Sequence, residues 1–190
     1  MLSSVKGKVN EFLKPLAICF ERLGVKPNHL SFLGLIFGIF SFFFIIRSNL
    51  ILGAVFLLLS GLMDALDGCL ARVANQVTSF GGFLDSVLDR YVDIIVLLGV
   101  GIYGIDWIIV VLAITGSLLV SYTRARAEKI IPRCEVGIAE RPERILILSA
   151  GLIFSSYLWY AVLIIAVLAH ATAVHRILHT YFYLRKNKNI

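Results

Sequence analysis

Residues 50–103 read LILGAVFLLLSGLMDALDGCLARVANQVTSFGGFLDSVLDRYVDIIVLLGVGIY. Two apolar runs, 50–71 and 82–103, each match the roughly 20 residues needed to cross the hydrocarbon core of a bilayer. Only the polar stretch 73–81 separates them, so the spacing predicts two antiparallel helices lying side by side. Into the halves that meet at this turn the chain places Asp64, Asp67, Asp85, Asp89 and Asp93. Asp64 and Asp67 are three apart, while Asp85, Asp89 and Asp93 follow at intervals of four, so each set projects from one face of its helix. The two acidic faces oppose one another across the turn.

Outward from this hairpin the apolar pattern continues. Further spans are expected near 29–46, 106–127, 144–156 (extending back toward 138) and 157–178, giving six, with Ser155-Ser156-Tyr157 as a very short connection between the last two. Composition agrees: 59% of the 190 residues are apolar and only 16% charged, with a mean hydropathy of +0.90. A soluble enzyme, a disordered chain and a disulfide-stapled secreted domain are all excluded by those values. Cys19, Cys69 and Cys134 lack metal-ligand spacing and read as small apolar fillers.

Ahead of the first span, Leu2, Val5, Val9, Phe12, Leu13, Leu16, Phe20 and Leu23 recur at helical spacing, with Lys6, Lys8, Glu11, Lys14, Glu21 and Arg22 mostly on the other side. Residues 1–27 are therefore expected to form a juxtamembrane amphipathic helix lying on the membrane surface, and 28–190 the six-helix transmembrane domain. Pro27-Asn28 ends the surface helix, and Asn28 or Ser31 is placed to cap the first span. The fold class expected is an all-α integral membrane protein with six transmembrane helices behind an interfacial one.

Of 18 Lys and Arg, all but Arg47 fall on one side of such a six-span plan. The positive-inside tendency then puts both termini and the 72–81 and 124–144 connections in the cytoplasm, in a cell membrane. The net charge of +6 belongs to this asymmetry, and no nucleic-acid partner is expected.

Each Asp near a membrane-helix centre costs about 2.5–3.5 kcal/mol on insertion scales, so five of them need a partner. Arg72 and Arg90 supply at most two positive charges. Two divalent cations balance four carboxylates, and all-oxygen ligands suit Mg²⁺ or Mn²⁺. A cation or proton translocator is the alternative from a different class. It explains acids on one face but leaves the interleaved small residues without a role.

Those small residues complete a pattern of eight positions over 26 residues: Asp64, Asp67, Gly68, Ala71, Arg72, Gly81, Asp85 and Asp89. The pattern resembles the signature of the CDP-alcohol phosphotransferase family, and the likeness extends to Pro27-Asn28-His29-Leu30-Ser31 and to the six-span plan. Gly68 and Ala71 leave room for a flat pyrimidine nucleotide, and Gly81 lets the third span approach. The resemblance implies attack by an alcohol on the β-phosphorus of a CDP-linked lipid with release of CMP. It implies Asp64, Asp67, Asp85 and Asp89 as ligands of two Mg²⁺ or Mn²⁺ ions, with Asp89 also the catalytic proton acceptor. It implies Asn28, His29, Leu30, Ser31, Gly68, Ala71, Arg72 and Thr78 at the CDP-lipid site, and a homodimer.

The second polar concentration is Ser121 to Glu128 followed by Glu140-Arg141-Pro142-Glu143-Arg144. Arg124 and Arg126 end the fourth span, and Pro142 suits the first turn of the fifth helix. Arg141 and Arg144 then stand beside that helix's positive N-terminal end. Guanidinium forks and a helix N-terminus suit an acceptor phosphate, while an anchor to anionic headgroups is the plainer reading. This stretch resembles the corresponding segment of phosphatidylinositol-phosphate synthases, which implies inositol 1-phosphate as acceptor, with glycerol 3-phosphate as runner-up and either diacylglycerol or archaeol tails on the lipid. Gly34-x3-Gly38 marks a possible helix contact, and Arg185 to Lys188 a solvated anchor. Asp93 is expected to hold Arg90, Arg126 or a metal-bound water.

Overall fold

The computed structural model describes the backbone of residues 3–187 and the side chains of residues 11–187. Leu2, Lys188 and the side chains of Val5, Lys6, Lys8 and Val9 lie outside the described residues. Within them every regular element is a helix: α1 (Ser3–Arg22), α2 (Pro27–Ile46), α3 (Leu50–Val73), α4 (Ser79–Tyr103), α5 (Trp107–Ala127), α6 (Arg141–Ile153) and α7 (Leu158–Asn187), with a 3-10 turn at Ser155–Tyr157 between the last two. The chain divides into two compact units, the division falling inside α4 between Gly99 and Val100.

In the first unit, α2 and α3 form a helical hairpin. Arg47 ends α2 with its guanidinium over the Phe43 ring, 5.2 Å from the centroid, and Asn49 caps α3 by accepting from the Leu52 N–H at 3.3 Å. Close packing needs small residues at the crossing. A Cβ on Gly38 would stand 2.8 Å from Val92 of α4, and one on Gly34 would meet Met63 and the Ser60 carbonyl of α3 at 3.5 Å. The Gly34-x3-Gly38 stripe thus serves helix packing within the chain. Membrane helices use small residues this way because close backbone approach, in place of a hydrophobic drive, supplies much of their attraction.

Leu13 and Ala17 of α1 are buried in a cluster with Leu30, Met63, Leu66, Cys69 and Leu70, and Phe20 packs against it. Phe12 of the same helix is 84% exposed, and Leu23, just past its end, is 71% exposed. The expected apolar stripe is thus divided between a protein-facing row and an outward row. Cys69 and Cys134 are buried fillers, whereas Cys19 is exposed.

In the second unit α5 packs against α7, where a Cβ on Gly116 would lie 3.0 Å from that of Ala169. The helix α6 packs on α7 in turn. The short connection at Ser155-Ser156-Tyr157 separates two helices and is no kink in one: Phe154 leaves helical geometry at φ −99°, ψ 72°.

Among the described residues, four helices are long and apolar enough to cross a membrane: α2, α3, α5 and the stretch Ser155–Asn187. The six spans expected from the sequence are not all of that kind. Helix α4 has the length, at 25 residues, but Asp85, Asp89, Arg90 and Asp93 interrupt its apolar run. Helix α6 has 13 residues, a rise of about 20 Å at 1.5 Å per residue, against roughly 30 Å of hydrocarbon. Large apolar side chains such as Phe32, Ile36, Ile51, Val55, Ile108 and Ile164 are exposed along the four long helices, as an integral membrane protein requires.

Helix α2 begins differently from the expectation. Lys26 is its N-cap and Pro27 its first residue, a position that suits proline's fixed φ and missing N–H. His29 Nδ1 accepts from the Lys26 N–H at 3.4 Å. Neither Asn28 nor Ser31 caps the helix, because with Lys26 at the N-cap both lie inside it, as its second and fifth residues.

Candidate functional site

The α3–α4 hairpin brings three aspartates together. Asp64, Asp67 and Asp85 each present a carboxylate oxygen within 4.8 Å of the others. Asp67 is 5% exposed, and Ser31 of α2 donates its hydroxyl to Asp67 Oδ2 at 2.5 Å. Ser31, expected at the CDP-lipid site, therefore reaches a carboxylate of the acidic cluster.

Asp89, one turn beyond Asp85, stands apart from this group of three, with its Oδ2 3.6 Å from the Arg90 guanidinium. Arg90 also donates to the Ser86 carbonyl at 2.6 Å.

The turn into α4 assembles a second set. Thr78 accepts the Gly81 N–H on its Oγ1 at 3.0 Å, and so acts as the N-cap of the acidic helix. A Cβ on Gly81 would stand 2.9 Å from that Oγ1 and 3.3 Å from Asn28 Oδ1. Asn28 and Thr78 thus converge on the bare backbone of Gly81, 53 residues after Asn28 in the chain. On α3, the Arg72 guanidinium lies over Gly68, 3.5 Å from where a Cβ would be, and Ala71 is half-buried beside it. Two expected members are placed otherwise. The Leu30 side chain is 2% exposed in the core, and the His29 ring serves the start of α2.

The cluster fits divalent metal. Three carboxylates with oxygens under 5 Å apart repel by roughly 3–4 kcal/mol per pair at an effective dielectric near 20. Hard oxygen donors in one place are the donor set Mg²⁺ and Mn²⁺ take.

In the second unit, the four arginines expected to hold an acceptor phosphate stand in different surroundings. Arg124 donates from Nε to Glu128 Oε1 at 3.0 Å, and its Nη1 lies 3.5 Å from Glu140 Oε1. Arg126 is exposed and lines a cavity of 430 Å³ with Tyr122, Lys129 and Thr180. Arg144 is buried and donates to the Ala139 carbonyl at 3.0 Å. Arg141 is half-buried at the first position of α6, with Pro142 following it.

The sequence reading missed Arg176. This side chain is 2% exposed and donates from all three nitrogens: Nε to the Val136 carbonyl at 2.8 Å, Nη1 to the Val120 carbonyl at 2.5 Å and Nη2 to Glu140 Oε1 at 3.1 Å. The signal was present, since an arginine inside the apolar run 157–178 is as costly as the aspartates that were noticed.

Comparison with known proteins gives one family. The model of the CDP-alcohol phosphatidyltransferase family matches residues 25–175. The chain is 36% identical to the archaetidylinositol phosphate synthase of Pyrococcus horikoshii, over 93% of this chain and 95% of that one. Its fold superposes on crystal structures of the Mycobacterium tuberculosis phosphatidylinositol phosphate synthase. With CDP-DAG bound to that enzyme the TM-score is 0.80 at 27% identity, covering 90% of this chain and 94% of the other. With manganese and citrate it is 0.79 at 29% identity, covering 90% and 88%.

Proposed function

The chain belongs to the CDP-alcohol phosphatidyltransferase family, and from that premise we propose that it transfers the phosphatidyl or archaetidyl group of a CDP-linked lipid to inositol 1-phosphate, releasing CMP. The observation that carries this reading is the meeting of Asp64, Asp67 and Asp85 where α3 and α4 face each other. The near full-length likeness to enzymes named for inositol phosphate products supports the acceptor.

In the reaction the acceptor hydroxyl oxygen forms a bond to the β-phosphorus of the CDP-lipid. The bond from that phosphorus to the oxygen bridging it to the α-phosphate breaks, and CMP leaves with the electron pair. Asp64, Asp67 and Asp85, with Asp89, hold Mg²⁺ or Mn²⁺. When bound, such an ion neutralises the pyrophosphate and stabilises the charge that develops on the leaving phosphate. Ser31 fixes the Asp67 carboxylate through its hydrogen bond, so one of the ligands is oriented before substrate arrives. Asn28 and Thr78 offer an amide and a hydroxyl beside the bare Gly81 backbone, a surface low enough for the nucleotide. Arg72, over Gly68, supplies positive charge to the same lipid nucleotide, and Ala71 keeps the neighbouring helix surface low. Asp89 takes the proton of the attacking hydroxyl. Arg124, Arg126, Arg141 and Arg144 bind the phosphate of the acceptor.

The same reading takes α4 and α6 as the third and fifth of six crossings, the acidic face of α4 being stabilised by metal and the short α6 by its packing on α7. Both termini and the site face the cytoplasm of a cell membrane, α1 lies along the membrane surface, and two copies form a homodimer.

The test is CMP release by purified protein in detergent with CDP-diacylglycerol or CDP-archaeol and a panel of inositol 1-phosphate, glycerol 3-phosphate, free inositol and serine. Turnover with inositol 1-phosphate alone is expected. Turnover with glycerol 3-phosphate alone overturns the acceptor, and no CMP release with any acceptor returns the translocator reading.

A further inference from the structure

The segment ahead of α6 is stapled to α7 by polar contacts. Thr172 Oγ1 accepts two successive backbone N–H groups, from Ile138 at 3.2 Å and Ala139 at 3.1 Å. Arg176 donates to the Val136 carbonyl, and Arg144 reaches back to the Ala139 carbonyl. Gly137, at φ +151°, permits the close passage, since a Cβ there would stand 2.7 Å from Thr172 Cγ2. Backbone contacts on both sides of residue 139 therefore decide where the next residue, Glu140, points.

Glu140 is the N-cap of α6, yet its side chain makes no capping hydrogen bond to that helix. An acid at a helix N-terminus ordinarily gains from the free N–H groups and the positive end of the dipole. Here the carboxylate is turned away, and a single oxygen, Oε1, receives Arg176 at 3.1 Å and Arg124 at 3.5 Å. Arg176 has no donor nitrogen left over, because each is committed to the protein. Arg124 differs. Its protein contacts engage Nε and Nη1, and among the described residues its Nη2 makes no hydrogen bond.

We propose that Glu140 is a positioning residue: anchored by the buried Arg176, its carboxylate holds Arg124 in the orientation that receives the acceptor's phosphate. This rests on the reading of Arg124 as an acceptor-binding residue. A guanidinium on a flexible stem loses rotamer freedom when it binds an anion, and two carboxylates that lock its Nε and Nη1 edges remove that cost beforehand. Glu128, one turn along α5, fixes one edge from Arg124's own helix. Glu140 fixes the other from a segment tied to α7, so the arginine is held between two elements. Arg176 acts as the strut that keeps Glu140 from turning back to cap its own helix.

The measurement is CMP release by full-length Glu140→Gln in detergent, with acceptor and CDP-lipid varied separately and thermal stability recorded alongside. Gln keeps the size and one carbonyl acceptor but drops the charge. The apparent KM for the phosphorylated acceptor is expected to rise about tenfold, the equivalent of one charge-assisted contact, with the CDP-lipid KM unchanged and the melting temperature lowered, since the buried Arg176 loses its counter-charge. Arg176→Lys should move the acceptor KM the same way, since an ammonium cannot present three donors in a fixed fork. Should Glu140→Gln fail to fold, Glu140→Asp, which keeps the charge but withdraws it by one methylene, carries the same expectation. An acceptor KM that stays at the wild-type value overturns the proposal. So does one that falls, which would make Glu140 a competitor of the phosphate, or a parallel rise in both KM values. Wild-type protein that turns over no phosphorylated acceptor would instead remove the functional reading beneath it, and the proposal with it.

Discussion

The Ser31 hydroxyl of α2 donates to Oδ2 of Asp67 on α3 across 2.5 Å, with both side chains buried. This contact ties the first long helix to the acidic cluster and settles how one of its carboxylates is turned.

Ser31→Ala should therefore weaken metal binding more than it weakens the fold. Second partners of metal ligands typically contribute 10–100-fold in metal affinity. The Mg²⁺ or Mn²⁺ concentration giving half-maximal CMP release is expected to rise by about that factor, with turnover largely recovered at saturating metal. Ser31→Thr, which keeps the hydroxyl, should stay nearer the wild type. An unchanged metal titration in Ser31→Ala would show that Asp67 is oriented without this hydrogen bond.

Removal of metal is the second prediction. With Asp64, Asp67 and Asp85 oxygens within 4.8 Å, the cluster carries its own repulsion until a cation is bound. EDTA should abolish CMP release and lower the melting temperature in detergent, and Mg²⁺ or Mn²⁺ should restore both. A ligand at 100 times its Kd stabilises the folded state by about 2.7 kcal/mol, enough to be read in a thermal scan without any substrate. Full activity in chelator would remove metal from the mechanism.

The acidic cluster was legible because periodicity alone decides which helix face a residue occupies, and a nine-residue polar connection leaves two helices little choice but to face each other. What periodicity does not carry is the partner across a long separation. Ser31 meets Asp67 36 residues away, and Arg176 meets Glu140 at the same separation, each through a helix register that no local pattern specifies. The apolar stripe of α1 was visible, but its division between Leu13 facing α3 and an exposed Phe12 depends on where α3 lies. Helix α6 was read as a span because Ile145, Leu146, Ile147 and Leu148 are apolar, while its stop at Phe154 comes from the turn after it.

Asp64 and Asp89 should separate in their effects. Asp64 presents an oxygen within 4.8 Å of those of Asp67 and Asp85, whereas Asp89 lies outside that group and beside Arg90. Asp64→Asn is expected to weaken metal and CDP-lipid binding together. Asp89→Asn should lower kcat by about 10²–10⁴, the usual worth of a positioned general base, while nucleotide binding by isothermal titration stays near the wild-type value. Equal loss of CDP-lipid affinity in both variants would make Asp89 a metal ligand with no separate proton role.

The bare backbone at Gly81 supplies the last prediction. A Cβ there would press on Thr78 Oγ1 at 2.9 Å, closer than van der Waals contact allows, and approach Asn28 Oδ1 at a tight 3.3 Å. Thr78 also caps α4 through the Gly81 N–H, so an added methyl disturbs the cap as well as the space between α2 and the turn. Caps of this kind are worth about 0.5–2 kcal/mol, too little to unfold the chain but enough to shift the start of the helix that carries Asp85. Gly81→Ala should raise the CDP-lipid KM severalfold with a melting temperature only a few degrees lower, and Gly81→Val should abolish nucleotide binding. Thr78→Ala separates the two causes, because it removes the crowding oxygen along with the capping hydrogen bond. Combined with Gly81→Ala, it is expected to recover part of the lost CDP-lipid affinity if crowding dominates. If the double variant binds no better than Gly81→Ala alone, the loss comes from the displaced start of α4.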